Sequence, residues 1–200
     1  MKIKTLLMTL VFWGTLVTGK AQDIEQSNQY DFIYQIKVTL VTGRKVDWAK
    51  FKNLKDLGQL ATSTVQLDPE ETSVKTPVYL GYYLGKSTAQ KVLTEVKKRG
   101  YSQAKMVSDG AYQLGHSTGK HIRYGLQLGA FKALNQVKMS QYPKQDTEDK
   151  IYLQYKKGTY KVLYNLYTQG EVPPSLTKAR SKVIPWLKKK GYQVFVQKFR

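Results

Sequence analysis

The sequence lacks cysteine altogether and has only two histidines and few acidic side chains. Its 200 residues include 14 aspartates and glutamates against 33 lysines and arginines. Without cysteine the chain has no disulfide, no thiol nucleophile, no thiolate metal site and no cysteine for N-terminal lipidation. With so few carboxylates, no pair stands out that could serve as acid and base in hydrolysis. These absences argue against an enzyme and against a metal or other cofactor.

The chain is instead rich in positive charge and in tyrosine. Its formal net charge is +19, and 15 of its residues are tyrosine. A positive excess of this size favours partners that carry negative charge, such as nucleic acid, a membrane face or a cell-wall polymer. The apolar share of 41% is sufficient for packed cores, and the length suits one or two small domains.

The N-terminal segment has the pattern of an export signal. Lys2 and Lys4 precede a mostly apolar stretch over residues 6–17, and the small residues Gly19 and Ala21 mark a cleavage site. This stretch is too short to span a bilayer, and no later segment is long and apolar enough. We therefore expect a cleaved signal peptide over residues 1–21 and a periplasmic or secreted protein without a transmembrane segment. Nucleic acid is then excluded as a partner, because an exported protein rarely meets it.

Two segments of the mature chain share the same ending. Residues 96–101 read VKKRGY and residues 187–192 read LKKKGY, and each follows a helical pattern of apolar residues. Alternating strands are predicted before these helices, at 77–83 and 160–167, and after them, at 103–107 and 193–199. The mature chain therefore contains an internal repeat.

Each repeat opens with further predicted elements. The opening strands cover 34–41 and 122–131, and the middle strands cover 60–66 and 151–155. Between them, the first repeat has a helix capped by Asp47 and Gly58, with Trp48, Phe51, Leu54 and Leu57 facing inward. The matching stretch of the second repeat, 132–141, carries a weaker helical pattern.

The order β-α-β-β-α-β thus occurs twice. It predicts an α+β fold made of two tandem RNP-like split βαβ sandwiches, with the helices on one face of an antiparallel sheet. The first repeat covers residues 30–109, a linker rich in Gly and Ser covers 110–120, and the second repeat covers 121–200. Ser87 is predicted to cap the long helix of the first repeat, and Pro185 to kink that of the second.

Short motifs in this order resemble those of SPOR (sporulation-related repeat) domains. Residues 126–131, LQLGAF, are similar to the opening strand of such a domain, and residues 78–101 are similar to its closing half. Together the halves look like tandem SPOR-like repeats that cover nearly all of the mature chain. The resemblance implies an RNP-like sandwich in the bacterial cell envelope. It also implies that the sheet face away from the helices binds peptidoglycan glycan strands lacking stem peptides.

Strand alternation indicates which side chains lie on that face, because successive residues point to opposite sides of a sheet. The candidate glycan-binding residues are Gln35, Lys37, Tyr79 and Tyr83 in the first repeat and Arg123, Gln127, Lys161 and Tyr167 in the second. Aromatic rings stack on the apolar faces of sugars, and amides pair with hydroxyl and acetamido groups. The alternative is that these tyrosines occupy strand positions only because strands favour aromatic residues.

Three motifs that suggest other chemistry are rejected. Residues 115–119, GHSTG, match a nucleophile elbow, but no acid separates Ser117 from the only later histidine, His121. Residues 81–87, GYYLGKS, are one residue short of a phosphate-binding loop, in a unit too small for a nucleotide-binding sheet. His116 and His121 are expected to be solvated rather than to bind a metal.

Two functions remain open. The first is an exported, non-enzymatic binding protein whose partner is peptidoglycan glycan or another anionic envelope polymer. The alternative is a structural or adaptor protein of the periplasm that uses the sheet faces or the interdomain groove for a protein partner. This alternative is favoured by departures from the motif at Lys37, Thr39 and Asn165.

The charge is divided unequally between the repeats. Residues 23–110 contain 13 basic and 10 acidic side chains, whereas residues 111–200 contain 17 basic and 4 acidic ones. The second repeat is therefore expected to be the one that contacts an anionic envelope surface.

Overall fold

The computed structural model describes residues 31–63, 74–114, 122–145, 147–168 and 175–199. These residues form an α+β protein with few helices and a mixed, mostly antiparallel sheet. The predicted signal peptide, His116, His121 and the GHSTG motif lie outside the described residues.

The first half contributes four strands and two helical segments. The strands are β1 (Asp31–Thr42), β2 (Leu60–Thr62), β3 (Lys75–Leu84) and β4 (Lys105–Leu114). A 3₁₀ helix (Trp48–Leu54) follows β1, and helix α1 (Lys86–Lys98) connects β3 to β4. Strand β3 lies between β2 and β1, and β1 lies between β3 and β4, with every pair antiparallel.

The second half repeats this order. Its strands are β5 (Ile122–Phe131), β6 (Ile151–Lys156), β7 (Thr159–Thr168) and β8 (Phe195–Lys198). Two short 3₁₀ turns, Leu134–Gln136 and Met139–Gln141, replace the helix after β5. Strand β7 lies between β6 and β5, and β5 lies between β7 and β8.

The helix between β7 and β8 changes its winding along its length. It consists of α2 (Leu176–Lys178), a π-helical turn (Ala179–Val183) and α3 (Ile184–Lys189), and we call this continuous run the C-terminal helix, residues 176–189. The irregular turn comes directly before Pro185, which has no amide hydrogen to donate to the preceding turn. That this proline kinks or shortens the helix stays a prediction: the structure has a π-helical turn here, and the helix continues past Pro185 to Lys189.

Strand pairing has the same register in the two halves. The row of opposed residues is Lys105, Lys37, Tyr79 and Ala61 in the first half and Phe195, Gln127, Leu163 and Tyr152 in the second. Equivalent positions can therefore be compared directly, and Lys37 with Gln127 is one such pair.

Two parallel pairings join the halves. Residues 82–84 of β3 pair with residues 152–154 of β6, and Leu114 at the end of β4 pairs with Ile122 at the start of β5. The pairings therefore lead from β1 through β4, β5, β7, β6 and β3 back to β1. Because the halves are connected on both sides, the sheet faces away from the helices are brought together.

The apolar residues form one core on each side of the sheet. The larger core is on the helix side and is continuous between the halves, where the Tyr155 amide donates to the Thr88 hydroxyl over 2.8 Å. The smaller core lies on the opposite side and contains Ile33, Leu84, Tyr152, Leu163, Leu166 and Phe199. Since this smaller core draws residues from both halves, it seals part of the face predicted to be open.

The segment after β1 differs from the predicted helix. Asp47 does cap it, because its carboxylate accepts a hydrogen bond from the Ala49 amide over 3.0 Å, but only a 3₁₀ helix forms, and this ends at Leu54. Phe51 and Leu54 are buried as predicted. Trp48 is 40% exposed, so the prediction that it faces inward was wrong. Gly58 does not end a helix.

Two other boundaries also differ. Helix α1 begins at Lys86 with Gly85 at its N-cap, so Ser87 is not the cap. Strand β4 continues to Leu114 because it pairs with the start of β1 at Asp31, so the first part of the segment expected to be a linker is strand. Gly100 has a φ of +100° directly after α1, as expected for a residue that ends a helix.

Candidate functional site

A crevice of about 340 Å³ opens on the sheet face of the first half, on the side away from α1. It is lined by Gln35, Ala61, Thr62, Ser63, Tyr79, Tyr82, Val107 and Ser108. All four strands of the first half, or the residues next to them, contribute to this lining. The site therefore depends on the assembled sheet and not on a single loop.

The register of the strands places these side chains together. Tyr79 is opposite both Lys37 and Ala61, and Gln35 is opposite Val107 on β4. Alternation directs Ile36 and Val38 toward α1, so Gln35 and Lys37 point to the other side. An amide, a tyrosine ring and an ammonium group thus share one surface.

The second half restrains one wall of the crevice through contacts with Tyr82. The rings of Tyr82 and Tyr152 have their centroids 5.5 Å apart, and the Lys150 ammonium lies 4.7 Å from the centroid of Tyr82. Tyr82 is opposite Tyr152 in the parallel pairing between β3 and β6. Because neighbours from the other half restrain its ring, Tyr82 is held in place before any ligand arrives.

A bulge at Gly81 reverses the alternation along β3. Between Tyr34 and Ile36 of β1, strand β3 carries an extra residue, and Gly81 adopts a φ of +60° there. Beyond the bulge Tyr82 faces the crevice, and Tyr83 turns toward the helix side, where it is buried. The prediction that Tyr83 lies on the ligand face was therefore wrong, because a simple count of residues cannot include the extra one.

The buried Tyr83 has a structural role. Its hydroxyl donates a hydrogen bond to the Leu57 carbonyl over 3.2 Å, and burial raises the pKa of this hydroxyl well above its usual range. A Cβ atom at Gly81 would collide with this ring, so the bulge needs glycine at this position as long as Tyr83 is buried.

The second half has its bulge at Asn165, where φ is +46°. The Asn165 amide nitrogen donates to Asp149 over 2.6 Å, its oxygen accepts from the Lys150 amide over 2.7 Å, and the Tyr164 hydroxyl donates to Asp149. Asparagine tolerates this backbone conformation better than other residues with a side chain. The side-chain network thus supports the conformation that glycine supplies at Gly81.

Tyr167 is also turned to the helix side by its bulge. It is 4% exposed and belongs to the larger core, so the prediction that it faces a ligand was wrong. Burial raises the pKa of its hydroxyl, although the nearby Asn165 side chain lowers it in part. The hydroxyl forms no hydrogen bond within the described residues.

The sheet face of the second half is closed. Leu163 and Leu166 are buried there, and the ring of Phe199 lies over Gly125, so that a Cβ atom on this glycine would be 3.3 Å from the ring. Gly125 and Gln35 occupy equivalent positions in the register. Gln35 lies two residues before Lys37, Gly125 lies two residues before Gln127, and Lys37 and Gln127 are equivalent. The position that carries the Gln35 amide in the first half is therefore covered by the ring of Phe199 in the second.

The remaining candidates are distributed unevenly. Gln127 is half-buried beside Phe195, and Lys161 is half-buried on β7 opposite Ala130. The side chain of Arg123 lies outside the described part of the chain. Of the eight predicted residues, the structure thus brings Gln35, Lys37 and Tyr79 together at an open site.

Sequence reasoning missed Tyr82, which lines the crevice although alternation assigned it to the helix side. The available signal was the glycine in the middle of the β3 pattern, since glycine within a strand often marks a bulge. The contributions of Val107 and Ser108 were also missed, because β4 was predicted to end where the crevice lies.

A second groove lies between the halves, with a volume of about 430 Å³. It is lined by Trp48, Lys55, Gly58, Gln59, Leu60, Met139, Ser140 and Tyr142. The Met139 amide donates to the Asp56 carbonyl over 2.9 Å and holds the 3₁₀ turn of the second half against the first. The alternative function, which needs a protein partner at the sheet faces or at a groove between the halves, makes this groove a candidate site.

Over the described part of the chain, no cluster of three or more metal-ligating side chains occurs. No helix in that part is both long enough and apolar enough to cross a membrane. No family model, curated protein or solved structure matches this chain.

Proposed function

We propose that this chain is an exported, non-enzymatic protein of the cell envelope, built from two SPOR-like repeats with RNP-like topology, and that its first repeat binds peptidoglycan glycan. The observation that carries the proposal is the crevice that contains Gln35, Tyr79 and Tyr82 on the sheet face away from the helices. This is the face on which the resemblance to SPOR domains implies glycan binding.

The chemistry of the lining suits a sugar polymer. Tyrosine rings can stack on the apolar faces of pyranose rings, and the Gln35 amide can pair with hydroxyl and acetamido groups. Thr62, Ser63 and Ser108 add hydroxyl and backbone polar groups at the edge.

Two lysines that face each other across β1 and β4 favour an anionic ligand. Lys37 and Lys105 are directly opposite each other across β1 and β4, an arrangement of like charges that destabilises a sheet. A ligand that carries carboxylates, as the lactyl ethers of glycan strands do when stem peptides have been removed, would offset this repulsion. Denuded glycan is therefore the form of the polymer that this surface favours.

The decisive experiment is a pull-down with purified sacculi before and after an amidase has removed the stem peptides. We expect binding to increase on the denuded glycan and to fall about tenfold for Tyr79→Ala, since an aromatic contact contributes about 1.5 kcal/mol. The matched control is Gln127→Ala, on the same register row of the second half, which should bind as the unmodified protein does. Equal binding to intact and denuded sacculi would contradict the proposal.

A protein partner in the groove between the halves is the second candidate. The observation that favours it is Trp48, a large aromatic side chain that is 40% exposed and lines the groove. Aromatic residues in partly open pockets are typical anchors of protein interfaces. A photo-crosslinking amino acid at position 48 should then capture an envelope protein, whereas the same group at Lys86, exposed on α1, should not.

A further inference from the structure

The C-terminal helix, residues 176–189, carries an unusual concentration of positive charge. Its exposed cations and those of the turn that follows are Lys178, Arg180, Lys182, Lys188, Lys189 and Lys190. Residues 175–200 contain no acidic residue at all. None of these six side chains forms an ion pair within the described residues, whereas Arg99 in the first half pairs with Asp56 and Glu95.

The helix dipole does not explain this distribution. Lysines near a helix C-terminus are favourable there, which accounts for the last turn. Lys178, Arg180 and Lys182 lie in the first half of the helix, nearer its N-terminus, where positive charge gains nothing from the dipole. No described acidic side chain forms an ion pair with these three cations, so the surface favours an external source of negative charge.

The same helix holds apolar groups between its cations. Trp186 and Ile184 are half-buried and Pro185 is exposed, so each leaves part of its surface in solvent. The Trp186 ring packs against Tyr164, with centroids 6.0 Å apart, which fixes the indole at the surface. An indole among lysines is typical of segments that lie at the boundary between lipid headgroups and acyl chains.

From this combination we infer that the C-terminal helix docks the protein on an anionic lipid bilayer. The cations contact phosphate-bearing headgroups, and the partly exposed indole lies at the level of the interface. Since the opposite side of this helix is packed against the core through Leu176, Ala179 and Leu187, binding is peripheral and requires no unfolding. The inference rests on other residues than the crevice does and holds whether or not the crevice binds glycan.

The geometry leaves both surfaces usable at once. The C-terminal helix covers the helix side of the second half, and the crevice opens on the opposite face of the sheet in the first half. A chain docked on a membrane by this helix would therefore keep the crevice away from the lipid surface.

The test is co-sedimentation of the full chain with vesicles of phosphatidylglycerol mixed with phosphatidylcholine. Vesicles of phosphatidylcholine alone measure the contribution of the apolar N-terminal segment, which does not require lipid charge. Each lysine near an anionic surface contributes about fivefold to binding, so Lys188→Gln with Lys189→Gln should weaken binding to anionic vesicles about 25-fold. Added salt should reduce the binding of the unmodified protein.

The chain supplies a matched control for this double variant. Lys97 and Lys98 are exposed in the VKKRGY ending of α1, at the positions that Lys188 and Lys189 occupy in the LKKKGY ending of the C-terminal helix. Lys97→Gln with Lys98→Gln therefore removes the same charge from the same helical position. We expect this control to bind anionic vesicles within about twofold of the unmodified protein. Equal losses in the two double variants would overturn the inference, because attraction would then depend on net charge alone.

Two further outcomes decide between lipid and other anions. Quenching of tryptophan fluorescence by brominated anionic lipid should be smaller in Trp186→Phe than in the unmodified protein, and equal quenching would contradict insertion of this indole. Binding to long-chain polyphosphate without binding to anionic vesicles would also overturn the inference. Tyr79→Ala should leave vesicle binding unchanged, so failure of glycan binding and failure of membrane docking can be told apart.

Discussion

The two halves share strand order and register, yet one presents an open crevice and the other a sealed face. Gln35 lines the open crevice, and its equivalent Gly125 lies under the ring of Phe199. Halves with the same strand order can therefore carry different surfaces because a few side chains on one face differ. The closed half is the more basic one, with cations on its helix and turns and also on its strands, among them Lys156, Lys161 and Lys198.

The two halves also differ in how they build the same bulge. The first relies on Gly81, whereas the second uses Asn165 fixed by Asp149 and the Lys150 amide. Glycine reaches a positive φ without cost, but an asparagine needs its side-chain partners to hold it there. The predictions that follow test this comparison by altering one half at a time.

The largest effect is expected at the bulge of the first half. Gly81→Ala should lower the free energy of unfolding by about 4 kcal/mol, because it adds backbone strain and drives a Cβ atom into the Tyr83 ring. Urea unfolding measures it. Gly100→Ala is the control, since its φ is also positive but no atom lies within 4 Å of the added Cβ, and it should cost about 1–2 kcal/mol. Equal costs would show that the close packing at Gly81 is irrelevant.

Truncation of Phe199, whose ring covers the sheet face of the second half, should have the next largest effect. Phe199→Ala should destabilise the protein by about 3 kcal/mol, since its ring is buried against Leu163 and Leu166 in the smaller core. Phe195→Ala, which truncates a side chain that is 58% exposed, should change stability by less than about 1 kcal/mol. Sacculus binding should not rise in Phe199→Ala, because the uncovered face is lined by leucines. A gain of binding would mean that the Phe199 ring alone accounts for the difference in glycan binding between the two halves.

Equivalent tyrosines should respond differently to loss of the hydroxyl. Tyr83→Phe should cost about 1 kcal/mol because it leaves the Leu57 carbonyl without its donor. Tyr167→Phe should be neutral or stabilising because that hydroxyl is buried and forms no hydrogen bond with any described residue. Urea unfolding at neutral pH compares them. A larger cost for Tyr167→Phe than for Tyr83→Phe would contradict the assigned contacts.

The same tyrosines predict a loss of stability at alkaline pH. Burial raises the pKa of Tyr83 and of Tyr167 in the folded state above the unfolded value of about 10. Their contribution is complete below that value and falls as the pH rises above it, because only the unfolded chain then releases the proton. Each Tyr→Phe variant should therefore lose less stability than the unmodified protein between neutral pH and pH values above 10.

The smallest effect is expected at the pair Lys37 and Gln127. Lys37→Gln should raise the free energy of unfolding by about 0.5 kcal/mol at low salt, because it removes the repulsion from Lys105 opposite. Gln127→Lys should have no comparable effect, since the residue opposite it on β8 is Phe195. Thermal unfolding at two salt concentrations measures the difference, and a gain in Lys37→Gln that persists at high salt would have another origin.

Alternation and turn residues predicted the order of the strands, but not every boundary and not every face. The range predicted for β5, 122–131, equals the observed one, and Asp47 caps its segment as expected. The faces of Tyr82, Tyr83 and Tyr167 could not be predicted by counting, because one extra residue at a bulge reverses every later side chain.

The candidate site was predicted in part for a related reason. Tyr79 precedes the bulge of β3, and Gln35 and Lys37 precede the irregularity of β1 between Lys37 and Thr39, so alternation placed all three on the face away from α1. The covering of Leu163 and Leu166 depends on Ile33 and Leu84, which reach them only because the two halves pair through β3 and β6. Contacts of that kind arise from the arrangement of the halves and leave no periodic pattern in the sequence.

The pairing of residues 82–84 with 152–154 also bears on how such a chain can be rearranged. A cut between the halves would expose the edge of β3 and leave Leu163 and Phe199 without their neighbours Ile33 and Leu84. We therefore expect neither half to be stable when it is transplanted or left on its own. Although the internal repeat suggests separable units, these shared contacts favour inheritance and engineering of the pair as a whole.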